Sequence, residues 1–140
     1  MKNYASLQLR LGDSLEAAQE RIIYAVSAYM DGRGLVPCGR ETAERTVLFA
    51  RVEGGFAVFD DAADRLEPGA LDGLARALTD HLCVCAVGAQ GSRARGLTLK
   101  LYGGGALRDV MCAPPRGVSR LCPAPLRARH HARRWRRLTR

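Results

Sequence analysis

The chain has 140 residues, 47% of them hydrophobic and 26% charged, a composition that suits one globular domain with a real core and excludes a wholly disordered protein. Its net charge of +8 belongs to the last twenty-nine residues, Cys112 to Arg140, which hold nine arginines and neither lysine nor acid. Residues 1 to 111 carry thirteen Lys plus Arg against fourteen Asp plus Glu, which excludes a strongly basic body, and 6% aromatics argue against an extensive base-stacking platform.

Met1-Lys2-Asn3-Tyr4 runs straight into an alternating segment with no long apolar stretch behind it, so neither a signal peptide nor a membrane span is expected and a cytoplasmic location follows. Five cysteines at irregular spacing fit reduced thiols better than a disulfide framework. Leu7, Leu9 and Leu11 alternate with polar residues, the period-2 pattern of a first strand. Asp13 or Ser14 then caps a helix whose Leu15, Ala18, Ile22, Val26 and Tyr29 recur at steps of three and four, stopped by Gly32 and Gly34.

Thr46 to Val52 and Phe56 to Phe59 are β-branched or aromatic runs joined by Glu53-Gly54-Gly55, which predicts a hairpin. Pro68 opens a second amphipathic helix through Leu71, Leu74, Leu78 and Leu82, with Gly73 as a weak point. Cys83 to Val87 is a short apolar strand, and Leu97, Leu99 and Leu101 alternate in another. Gly103-Gly104-Gly105 then turns into a closing strand from Ala106 to Val110.

The order βαββαβ plus a C-terminal hairpin strand predicts an α+β, ferredoxin-like two-layer sandwich over residues 1–111, with two helices on one face of the sheet. Phe56 and Val58 point to one face of their strand, and Ala57 and Phe59 to the other. Apolar side chains on both faces call for a cover on the open side, either a second subunit or the tail, and make Phe56, Val58 and Phe59 interface candidates. Residues 112–140, rich in arginine and proline without hydrophobic period, are expected to be a disordered basic tail.

The stretch Gly55-Phe56-Ala57-Val58-Phe59-Asp60-Asp61, followed by Leu74-Ala75-Arg76-Ala77-Leu78-Thr79 and Ala86-Val87, resembles a small bacterial α/β domain family to which no activity is assigned. The resemblance spans roughly residues 45 to 110 and rests on structural motifs. It implies a fold and no chemistry. The chain departs from that pattern at Gln90-Gly91-Ser92-Arg93, where an acidic turn is expected, and again after Val110. Arginine, proline and alanine have GC-rich codons, so a shifted reading frame is an alternative origin for the tail.

No catalytic set stands out. Asp60, Asp61 and Asp64 have the oxygen donors a Mg²⁺ or Ca²⁺ site needs, but a strand-ending acidic turn is the simpler reading. Cys112, Cys122, His130 and His131 match no zinc spacing, Cys83 and Cys85 fit packing, and His81 lacks a sequence partner. Cys38 beside Arg40 is an isolated thiol, and Gly88 to Arg93 a weak anion nest. No metal, cofactor or enzyme activity is therefore expected. The sequence favours a non-catalytic domain acting by protein association, through a homodimer or another protein on the open sheet face. The alternative is RNA binding by the tail through Arg116, Arg120, Arg127, Arg129, Arg133, Arg134, Trp135, Arg136, Arg137 and Arg140.

Overall fold

The computed structural model describes residues 3–12, 14–115 and 130–138. The elements are β1 (Tyr4–Arg10), α1 (Leu15–Gly32), β2 (Leu35–Pro37), a 3-10 turn (Arg40–Thr42), β3 (Arg45–Val52), β4 (Gly55–Asp60), α2 (Asp61–Asp64), α3 (Ala70–Leu82), β5 (Cys85–Ser92), β6 (Gly96–Gly103), β7 (Ala106–Ala113) and β8 (His130–Arg137). All eight strands join one sheet in the order β2-β8-β3-β4-β1-β5-β6-β7, and each neighbouring pair is antiparallel.

The architecture is α+β, but the sheet is twice as wide as the four strands of a ferredoxin-like sandwich. β6 and β7 continue it past β5, and β7 runs on to Ala113, beyond the boundary expected at residue 111. On the other side two strands appear that the sequence did not announce. β2 is only three residues, too short for a period-2 signal. β8 is built from tail residues expected to be disordered: their backbone pairs with β3 from Arg45 to Ala50 and with β2 from Leu35 to Pro37. Residues 116–129, 139 and 140, with Arg116, Arg120, Arg127, Arg129, Arg140 and Cys122, lie outside the described residues.

Alternation explains how one face of this sheet became the core. Ala5, Leu7 and Leu9 of β1 stand beside Phe56 and Val58 of β4 and meet Ala18, Ile22, Val26 and Met30 of α1 and Leu71, Leu74 and Leu78 of α3. Each of the larger side chains, from valine to phenylalanine, contributes about 1.5–3 kcal/mol on burial. Gly73, expected to weaken α3, instead permits its contact with α1: a Cβ there would lie 2.5 Å from the Tyr29 hydroxyl oxygen. Helix α3 begins two residues after Pro68, following Gly69 in the left-handed region. Gly54, at φ +76°, makes the tight β3–β4 connection that the sequence predicts.

Candidate functional site: the sheet face opposite the helices

The three described helices pack on the face that carries Leu7, Leu9, Phe56 and Val58, and none of them covers the opposite face, whose central positions Ser6, Ala50, Ala57 and Ala89 are nonetheless buried. There the strand registers align Ala132, Leu48 and Phe59, then Ser6, Ala89, Leu99 and Met111, an uncharged row contributed by seven strands. The adjoining row runs through Ala50, Ala57, Gln8, Val87, Leu101 and Asp109. Ala89 and Leu97 form a small apolar cluster with Tyr4, Leu99 and Ala113. Met111, Leu101 and Val87 remain 62%, 40% and 39% exposed, so the β5–β7 part of the face is the most open to a partner. By strand alternation, charge on this face stands at Arg10, Asp109, Arg134 and Arg136, and the bulged Arg108 adds its guanidinium beside Gly103 and Cys85 on the same side.

Of the three interface candidates only Phe59 stands here. Phe56 and Val58 are buried in the helix-side core, because they pair with Leu9 and Leu7 and share their face. The exposed residues Val87, Leu101 and Met111 were not singled out from sequence. The alternation of Leu97, Leu99 and Leu101 was visible, but not which face it would take. In the structure the neighbouring position Tyr102 enters the helix-side core and sends the leucines outward.

The tail's arginines are divided by the same alternation. Arg134 and Arg136 lie on the open side of β8, while Arg133, Trp135 and Arg137 lie on the helix side. Trp135, one of the residues of the RNA-binding alternative, is 2% exposed within the core, where its ring is not open to a base.

The acidic cluster is fully engaged in structure. Asp60 Oδ1 accepts from Arg45 Nε at 3.1 Å and from the Ala62 amide at 3.1 Å, capping α2. Asp61 accepts the Thr46 amide at 3.0 Å and pairs with Arg65, and Asp64 accepts the Ala5 amide at 2.7 Å. Burial works against the charge on Arg45, but the hydrogen bond and charge of Asp60 outweigh it and raise its pKa. Burial also pushes the Asp64 carboxyl upward, more than the Ala5 hydrogen bond lowers it.

A second network ties β6 to α3. The Tyr102 hydroxyl donates to Asp72 at 3.0 Å, and Arg76 Nε donates to the same carboxylate at 2.8 Å. Burial and the Asp72 bond raise the Tyr102 pKa. Asp72 is opposed by its own partial burial, yet Arg76 and Tyr102 hold it below the usual carboxylate value.

The thiols are dispersed. Cys83 and Cys85 are exposed rather than packed, since Cys83 ends α3 in the left-handed region and β5 begins only at Cys85. Cys112 lies on β7, six strand positions from the β8 histidines His130 and His131. The Cys38 amide bonds to the Arg134 carbonyl, and His81 packs its ring 5.2 Å from that of Tyr24. Gly88 to Ser92 forms strand backbone instead of an anion nest, with Gly88 against Tyr102 and Leu71.

Among the described residues there is no cluster of three or more His, Cys, Asp or Glu side chains able to hold a metal ion, and no helix is long and apolar enough to cross a membrane. Comparison with known protein families, curated proteins and solved structures finds no match to this chain, so the residues themselves carry the functional reading.

Proposed function

We propose that this is a non-catalytic α+β domain that works by protein association through the sheet face opposite its helices. Its centre is read as a ferredoxin-like core, β1-α1-β3-β4-α3-β5, which the other strands widen; the observed order β3-β4-β1-β5 supports that reading. The uncharged row across seven strands, ending in exposed Met111 beside exposed Leu101 of the adjoining row, carries the functional proposal. A contiguous apolar surface rimmed by charge is the usual mark of a protein contact. RNA binding remains the second reading, because Arg134 and Arg136 stand on the same open side.

Sedimentation velocity of the full chain tests the first reading. Self-association at micromolar concentration, abolished by Leu101→Asp together with Met111→Asp without loss of the folded circular-dichroism spectrum, is the expected result. A protein that stays monomeric throughout refutes self-association by this face. Salt-sensitive binding of a labelled single-stranded RNA, lost in Arg134→Ala with Arg136→Ala, would favour the second reading instead.

A further inference from the structure

We propose that the gap between β2 and β3 is an acceptor slot for a β8 strand supplied by a second copy of this chain, so that two chains exchange β8 reciprocally. This does not depend on the open-face reading, because it concerns the interior of the sheet. β2 and β3 are both antiparallel to β8 and therefore parallel to each other, yet only Cys38 to Glu44 joins them. A direct parallel pairing needs a crossover of about a dozen residues or more, so β2 cannot close on β3 through seven. The slot must be filled by a strand from elsewhere.

That strand is remote from the element before it. β8 sits six positions from β7, at about 4.8 Å per position roughly 29 Å across the sheet. It is held mainly by backbone. Besides its two ladders, the Glu44 amide donates to the Trp135 carbonyl at 2.8 Å, the Cys38 amide to the Arg134 carbonyl at 3.2 Å, and the Leu138 amide to the Gly34 carbonyl at 3.3 Å. These bonds do not depend on which copy provides the strand.

Among the described side chains of β8 there is one deeply buried anchor, Trp135, and it fits imperfectly: its indole N–H is buried without a hydrogen-bond partner among the described residues. Arg133, Arg134, Arg136 and Arg137 face Val47, Thr46, Val36 and Leu35 across the ladders, so no acid opposes them in register. Among the described residues Arg137 reaches Glu44, at 4.0 Å. Backbone pairing with a single aromatic anchor is the pattern of strand addition by a separate segment. An exchanged strand keeps every contact made within one chain, so the balance is set by the effective concentration of the attached strand, which for tethered segments in general is on the order of millimolar.

Thr46 and Arg134 are directly opposed in the β3–β8 register, which gives a test. Full-length Thr46→Cys and Arg134→Cys are unfolded together, refolded as a mixture at roughly millimolar concentration and oxidised, and the disulfides are mapped by mass spectrometry. The expected result is a covalent dimer joined between positions 46 and 134, together with an intrachain 46–134 link when the double variant is refolded dilute. If the double variant forms that link while the mixture never does, the exchange is refuted; if neither forms it, the slot itself is wrong. Leu101→Asp with Met111→Asp in the same background leaves the 46–134 dimer intact, which separates this result from association by the open face.

Discussion

Replacing Asp60 by alanine should bring the domain close to unfolding, because the carboxylate answers two buried demands. Arg45 is 7% exposed and Asp60 2%, and two guanidinium nitrogens bond to the two carboxylate oxygens. Removing one partner of a buried pair costs about 3–5 kcal/mol, since the other charge stays desolvated. Loss of the cap on the Ala62 amide adds about 1 kcal/mol. A total of roughly 4–6 kcal/mol is comparable with the whole stability of many domains. Contact of the Arg45 guanidinium with the Tyr29 ring, 5.6 Å to its centroid, offsets only a small part. Arg45→Leu combined with Asp60→Ala removes both charges and should recover most of the loss, leaving about the cap cost. Urea denaturation at neutral pH measures all three variants. An Asp60→Ala protein within about 1 kcal/mol of wild type, or a double variant no more stable than the single, would refute the assignment of this pair as the critical buried charge balance.

Three further outcomes follow from other sites. Gly55→Ala places a Cβ 1.8 Å from the Leu9 carbonyl oxygen, where backbone must move; a loss of about 3 kcal/mol in urea denaturation is expected, and a neutral effect would contradict the β1–β4 approach. Trp135 is the chain's one tryptophan, so blue-shifted emission and poor quenching by acrylamide report directly that β8 is seated, whereas solvent-like emission would unseat it. Asp64 has its folded pKa raised, chiefly by burial, so its ionised form is the disfavoured one in the native state. Asp64→Asn keeps an acceptor for the Ala5 amide and should stabilise by under about 1 kcal/mol at neutral pH, a gain that shrinks as pH falls through the raised folded pKa and is gone once pH reaches the ordinary carboxylate value of 3.8 in pH-dependent thermal melts.

Local pattern by itself determined the central elements. The steps of three and four from Ala18 to Tyr29 and from Leu71 to Leu82 specify α1 and α3, and the period-2 leucines and the Glu53-Gly54 turn specify β1, β3 and β4, because each is a signal carried by neighbours in sequence. The choice of face for Leu99 and Leu101, the separation of Phe59 from Phe56 and Val58, and the exposure of Met111 depend on which neighbouring strands and helices cover them. The segment His130–Arg137 shows the limit most clearly. Its arginines read as solvent-bound charge, and only the gap left between β2 and β3 makes it a strand, since the ladder bonds and the pocket for Trp135 are supplied by residues about ninety positions earlier in the chain.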